Sequence, residues 1–209
     1  ASYRRAYQIE ETDNSNILLR SEVLNKLNNK RNTIIVSYPD AIFEKVVSRR
    51  VLKQKTINLS VSDIYHPDLL EKSLLENGFI SVDFVTDPGQ FSIRGGIIDV
   101  FSFADENPYR IEFFDDEIES IRSFNINTQL SVKQQNNVSI IPNTEAKKTE
   151  SKQVSILEYL PKNSTIWTED SSYIIGILDQ NFEKALEEFN KIKNNNITRI
   201  SPSKIFTNG

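Results

Sequence analysis

Residues 89–131 read GQFSIRGGIIDVFSFADENPYRIEFFDDEIESIRSFNINTQLS, and the alternation within them decides the fold. On a strand, successive side chains point to opposite faces, so residues of equal parity share a face. In 109–114, Tyr109, Ile111 and Phe113 make an apolar face. Arg110, Glu112 and Phe114 make the other, a charged face with an aromatic at its end. An arginine and a phenylalanine side by side on a polar face suit a binding hot spot better than a core. The competing reading is an aromatic shielding a sheet edge, with Arg110 and Glu112 as a solvated pair. In 91–94 the same parity puts Phe91 and Ile93 on one face and Ser92 and Arg94 on the other, so paired strands would bring Arg94 toward Arg110 and Phe114. Gly95-Gly96 is expected to permit a kink or bulge beside Arg94.

Working outward, 79–85, 91–94, 97–101, 109–114 and 117–124 read as strands. They follow a helix that Pro67 starts and Gly78 stops, with Leu69, Leu70, Leu74 and Leu75 as its core face. His66, just before that helix, suits a cap. Residues 51–59 read as a strand leading into it. One helix followed by closely spaced strands indicates an antiparallel α+β domain. The flanks read differently. Asn14-Ser15 caps a helix whose apolar positions are Ile17, Leu18, Val23, Leu24 and Leu27, and 30–32 is a polar turn. TIIVSY at 33–38 reads as a buried parallel strand. Pro39-Asp40 opens a helix with Ala41, Ile42, Phe43, Val46 and Val47 on its apolar face. Further on, 138–141 reads as a strand returning to the first domain, 145–152 as a mobile loop and 154–160 as a helix. Residues 164–168 (STIWT) read as a strand with Trp167 in the core, 173–189 as an amphipathic helix, and 191–209 as a tail without a clear element. The expected fold is therefore α/β plus α+β. A partial doubly wound domain (1–50 and 138–209) is interrupted by an inserted antiparallel-sheet domain (51–137).

Composition narrows the function classes. With 209 residues, 38% of them hydrophobic, the chain can build one or two real cores. No stretch approaches the ~18–20 apolar residues of a membrane span, and no signal peptide is recognised, so a cytoplasmic location is expected. The sequence lacks methionine and is read as a fragment. Zero cysteines exclude disulfides and thiolate metal sites, and a single histidine cannot make a histidine cluster. The net charge of −4 argues against this segment binding nucleic acid by itself, and the basic stretch at 49–55 reads as a solvated linker. No G-x-x-x-x-G-K-[ST] loop occurs, so no nucleotide site is complete. Asp115, Asp116, Glu117 and Glu119 lack EF-hand spacing and read as a solvated hairpin turn. Asp99 or Glu112 with Asp116 could pair for hydrolysis, but no nucleophile–base set accompanies them. A carboxylate-dependent hydrolase is the alternative from another class.

PGQFSIRGGIIDVF (88–101) and PYRIEFFDDEIESIRSFNINTQLS (108–131) resemble the UvrB-interaction segment of the bacterial transcription-repair coupling factor family. UvrB, the excision-repair helicase subunit, carries a related segment, and its equivalent region is the runner-up. The matching positions are Pro88, Gly89, Phe91, Arg94, Gly95, Asp99, Phe101, the run 110–114, Asp116, Glu117, Ile118, Thr128 and Gln129. Gly96, Tyr109-Arg110 and Thr128-Gln129 favour the coupling factor. Asp115 stands where the family commonly has glycine and Ser102 where it has proline, both in turns. YPDAIFEKVV at 38–47 resembles a passage of the coupling factor's first domain. The resemblance implies a UvrA-binding domain inserted into a helicase-like first domain. It matches Arg94, Arg110 and Phe114 to the residues with which the family grips UvrA, with Glu112 as a weaker candidate that orients the arginines. It also implies a full-length protein that displaces stalled RNA polymerase with an ATP-driven translocase on double-stranded DNA. ATP and Mg would belong to motor domains outside this chain. For the chain itself the expectation is recruitment only, with no catalytic, cofactor or metal residues, no ATPase activity and no membrane partner.

Overall fold

The computed structural model describes residues 14–29, 33–144, 152–191 and 200–209. The polar turn expected at 30–32 and residues 145–151 of the loop expected at 145–152 lie outside the described residues, as do the side chains of Asn14 and Ser15. In chain order the helices are α1 (Asn14–Asn28), α2 (Pro39–Phe43), α3 (Arg49–Lys55), α4 (Pro67–Glu76), α5 (Ser171–Lys191) and α6 (Pro202–Ile205). The strands are β1 (Val46–Val47), β2 (Ile57–Ser60), β3 (Ile80–Ser81), β4 (Gln90–Arg94), β5 (Ile97–Val100), β6 (Tyr109–Phe114), β7 (Glu117–Phe124), β8 (Ser131–Gln135), β9 (Asn137–Ile140) and β10 (Gln153–Val154). The architecture is mixed α/β with mainly antiparallel pairing. It separates into two compact units, Asp13–Asn25 with Leu52–Ala146, and Lys26–Val51 with Lys147–Gly209 as far as these are described.

The first unit is built on a six-stranded sheet in the order β3-β4-β5-β6-β7-β8, antiparallel except for the β3–β4 pair. The alternation foreseen for β4 to β7 is present. Phe91, Ile98, Val100, Ile111, Ile118 and Ile121 are buried together in one core. Each such side chain contributes about 1.5–3 kcal/mol by leaving water. A two-residue turn at Gly95-Gly96 closes the β4–β5 hairpin, with Arg94 opposite Ile97. Gly95 has a φ of 59°, and a Cβ on Gly96 would lie 2.8 Å from the Phe113 carbonyl oxygen. The expected kink beside Arg94 is thus a tight hairpin turn. The bulge lies instead in the β6–β7 pair, where Glu112 faces Ser120 and Phe113 faces Ile118, so that Glu119 of β7 is the extra residue.

α4 begins as foreseen: His66 Nδ1 accepts from the Asp68 N–H at 3.3 Å, and Pro67 occupies the first turn. Gly78, with a φ of 84°, follows its end. Its core face is narrower than expected. Leu70 and Leu74 are fully buried, whereas Leu69 and Leu75 are more than half exposed, because only the i, i+4 stripe meets the core. Residues 51–59 are α3 followed by β2 rather than one strand. β9 pairs with β2, Ile57 opposite Ile140 and Leu59 opposite Val138. The strand expected to return to the first domain therefore packs in the same unit as the six-stranded sheet. Only Ile80–Ser81 of the expected strand at 79–85 is paired. Beyond it the chain turns out of the sheet into a loop held by Gln90, whose Oε1 accepts from the N–H of Thr86 (2.9 Å) and of Asp87 (3.1 Å).

The second unit contains β1 paired antiparallel with β10, α2, α5 and α6. Phe43 stacks on Phe206 at 4.5 Å, Arg49 Nη2 donates to the Tyr159 carbonyl at 2.6 Å, and the Tyr159 hydroxyl donates to the Val47 carbonyl. α5 spans the helix foreseen at 173–189, and α6 shapes part of the tail that was expected to lack an element. Several expectations fail. Val46 and Val47 form β1 rather than a helix face, and 154–160 holds the end of β10 and a single 3-10 turn, Ile156–Tyr159. Residues 33–38 and 164–168 form no strand; Ile34 is 93% exposed and Trp167, expected in the core, is 90% exposed. Among the described residues neither run has a neighbouring strand, and an apolar run becomes a buried strand only when its backbone groups are paired. The doubly wound sheet is accordingly absent from the described residues. No described helix is long and apolar enough to cross a membrane.

Candidate functional site

The face of the six-stranded sheet opposite Ile98 and Ile111 is polar. Its rungs follow from the register: Ser92 opposite Asp99, Asp99 opposite Arg110, and Arg110 opposite Arg122. The next rung runs Arg94, Ile97, Glu112, Ser120. Asp99, only 1% exposed, anchors this face. It accepts from Arg94 Nη2 at 2.5 Å, from Arg110 Nε at 2.7 Å and from Arg110 Nη2 at 2.8 Å. A carboxylate so deeply buried is stable only when paired, and here two guanidinium groups share it. Asp99 directly faces Arg110 across the β5–β6 pair and lies diagonal to Arg94 across the β4–β5 hairpin, a span that long side chains bridge.

Each arginine also leans on an aromatic ring. The Arg110 guanidinium lies 4.5 Å from the centre of the Phe124 ring, and its Nη2 donates to Gln129 Oε1 at 3.2 Å. Hydrogen bonding to Asp99 pushes its pKa still higher. Arg94 lies 5.2 Å over Phe84. The two are not equally available: the Arg94 side chain is 40% exposed and that of Arg110 15%.

Glu112 sits beside this cluster without hydrogen-bonding to it. Its carboxylate accepts from Arg122 Nη2 at 2.6 Å and from Ser120 Oγ at 2.5 Å, and these two bonds hold it below the usual carboxylate range. Orientation of the two arginines, expected from Glu112, is therefore carried by Asp99. Nor do Arg110 and Glu112 form the solvated pair of the competing reading, since each is engaged elsewhere. Phe114 is 70% exposed at the end of β6. The unbroken alternation of β6 keeps Phe113 in the core with Tyr109 and Ile111, and Asp115 after Phe114 has a φ of 52°, the left-handed conformation in which the family's usual glycine is at home. At the other departure, Ser102 Oγ accepts from the Ile141 N–H at 3.1 Å.

The structure thus brings Arg94 and Arg110 together as foreseen and places Glu112 and Phe114 on the same face. Sequence reasoning did not single out Asp99 as the clamp, or Arg122, Gln129 and Phe84 as neighbours. A two-residue turn at Gly95-Gly96 fixes the β4–β5 register, and that signal was sufficient to put Asp99 diagonal to Arg94. The carboxylates weighed for hydrolysis are otherwise engaged: Asp99 by two arginines, Glu112 by Arg122 and Ser120. Asp116 lies 3.8 Å from His66 Nε2, and its carbonyl accepts from the Tyr65 N–H at 2.7 Å. Among the described residues, no three or more His, Cys, Asp or Glu side chains converge as a metal site. Chemically, the face offers two preset guanidinium groups, one net positive charge after Asp99 is counted, and exposed aromatic rings. Such a surface fits an acidic protein partner with apolar recesses.

The UvrB interaction domain family matches residues 57–145. The transcription-repair-coupling factor of Bacillus subtilis is 41% identical over 123 residues, 59% of this chain and 10% of that protein. The one from Myxococcus xanthus is 35% identical over 102 residues (49% of this chain, 8% of that protein), and the one from Escherichia coli is 26% identical over 123 residues (59% and 11%). The chain thus spans about a tenth of the length of the relatives it matches. Residues 57–145 match the UvrB interaction domain family, in a chain similar over 59% of its length to the transcription-repair-coupling factor of Bacillus subtilis.

Proposed function

We propose that this chain recruits UvrA to transcription-coupled excision repair through the polar face of the six-stranded sheet. The observation that carries the reading is the Arg94–Asp99–Arg110 clamp beside an exposed Phe114 on that face. Arg94 and Arg110 present planar, permanently charged forks to an acidic surface of the partner, and Phe114 supplies the apolar anchor. Glu112 fixes Arg122 at the rim. On the same reading the sheet domain interrupts a helicase-like α/β domain of a longer, cytoplasmic protein. That protein would displace stalled RNA polymerase as an ATP- and Mg-dependent translocase on double-stranded DNA, with its motor lying outside this chain. The chain alone contributes binding and no catalysis.

A calorimetric titration of the chain with UvrA tests this. Saturable binding should weaken at least tenfold (about 1.4 kcal/mol) in Arg94→Ala and in Phe114→Ala, each with an unchanged far-UV spectrum and a cooperative melting transition well above the titration temperature. No binding by the intact chain, or wild-type affinity in both variants, would overturn the proposal.

A further inference from the structure

Phe84 has no place in the core and no role in the site as foreseen, yet it is held in a defined position. It is 66% exposed, while its neighbour Val85 is 3% exposed and pins the loop from below. On one side the Asp83 carbonyl accepts from Ser92 Oγ at 2.9 Å. On the other, Gln90 Oε1 ties down the N–H groups of Thr86 and Asp87. The loop then re-enters the sheet through Gly89, where a Cβ would strike the Phe103 ring at 2.3 Å. A large ring kept in water on a braced loop loses little conformational freedom when a partner covers it, and this is the property of an anchor. Phe84 also lies under the more exposed of the two arginines, Arg94, whose other contact is to buried Asp99.

We propose that Phe84 is a second aromatic anchor of the partner-binding surface, so that the Arg94–Asp99–Arg110 cluster is bracketed by an exposed ring on each side. Phe84 follows β3 and Phe114 ends β6, three strand positions away, or roughly 14 Å across the sheet. The matching surface on the partner carries carboxylates between two apolar recesses, one for each ring. This inference rests on the UvrA reading and extends it from one edge of the cluster to the other.

The test is a double-mutant titration of the chain against UvrA with Phe84→Ala, Phe84→Leu, Arg94→Ala and Phe84→Ala/Arg94→Ala, and with Phe114→Ala as reference. Melting curves would show that each variant is folded. Phe84→Ala should weaken binding about tenfold, Phe84→Leu less, and the loss from Phe84→Ala should persist at threefold or more in the Arg94→Ala background. Unchanged affinity in Phe84→Ala, with Phe114→Ala weakened, would overturn the second anchor and leave the UvrA reading standing. A loss seen only when Arg94 is present would make Phe84 a support for that arginine, which also overturns the proposal. Absence of binding by the wild-type chain would remove both.

Discussion

Replacing Asp99 by alanine removes a carboxylate that is 1% exposed and leaves two guanidinium groups without their shared partner. Breaking a fully buried ion pair from one side costs about 3–5 kcal/mol. Here the loss should be smaller, because the Arg94 side chain is 40% exposed and can turn to water, while Arg110, 15% exposed and seated on Phe124, cannot easily follow. About 2–3 kcal/mol is expected for Asp99→Ala. Arg110→Ala should cost about 2 kcal/mol, because it strips two of the three hydrogen bonds from Asp99 and uncovers Phe124. Arg94→Ala leaves Asp99 doubly bonded and should cost about 0.5–1 kcal/mol. Urea unfolding should be followed by far-UV circular dichroism rather than tryptophan fluorescence, since Trp167, the sole tryptophan, is exposed and lies in the other unit. The order Asp99 > Arg110 > Arg94 is the result to look for. An Arg94→Ala variant as unstable as Asp99→Ala, or an Asp99→Ala variant within about 0.5 kcal/mol of wild type, would refute the clamp as the element holding this face.

The Gly95-Gly96 turn separates two kinds of glycine requirement. Gly96→Ala forces a Cβ against the Phe113 carbonyl and should destabilise by about 1–3 kcal/mol, whereas Gly95→Asn, at a positive φ with open space around it, should cost less than Gly95→Ala; chemical denaturation of the three variants checks the order. Asp105 titrates in the opposite sense to a salt-bridged acid. Burial raises its pKa against the pull of hydrogen bonds with Ser102 and Tyr109, and its Oδ2 is buried without a partner. Its favourable contribution is therefore complete below the ordinary aspartate value of 3.8 and is lost as pH rises through the higher folded value. Asp105→Asn should thus melt above wild type at pH 7, with the gap closing toward pH 4; a gap that stays constant with pH would disprove this.

The sheet was legible because its signals are local. Phe91, Ile98, Ile111 and Ile121 alternate with polar residues at period two, and glycine pairs or acidic pairs mark the hairpin turns. The alternation also placed Arg94 and Arg110 on one face correctly. It said nothing of which partner each would find, since that depends on register between strands. Glu112 thus looked like the natural companion of Arg110 from two residues away, while Asp99, inside the apolar run IIDVF, proved to be the clamp. Phe84 escaped notice because 79–85 reads as one strand, and only the hydrogen bonds to Gln90 and Ser92 show the chain leaving the sheet there. The runs at 33–38 and 164–168 failed for a different reason. Their composition does suit buried strands, but burial is a property of neighbours, and none among the described residues lies beside them.

The clamp also divides the four residues foreseen for binding into two pairs with different consequences. Asp99 remains satisfied by Arg110 when Arg94 is removed, so the fold has little need of Arg94. Phe114, exposed at the end of β6, is equally dispensable to the core. These two side chains add little to stability, and on the proposed reading a partner accounts for a guanidinium and an exposed ring standing on one face of the sheet. Arg110 and Glu112 are different. Arg110 completes Asp99 and covers Phe124, and Glu112 binds Arg122 and Ser120, so their removal disturbs the sheet whether or not a partner is present. Loss of binding in Arg110→Ala or Glu112→Gln would therefore mix two causes. Loss in Arg94→Ala or Phe114→Ala would isolate one, and for that reason the recruitment reading stands or falls on this second pair.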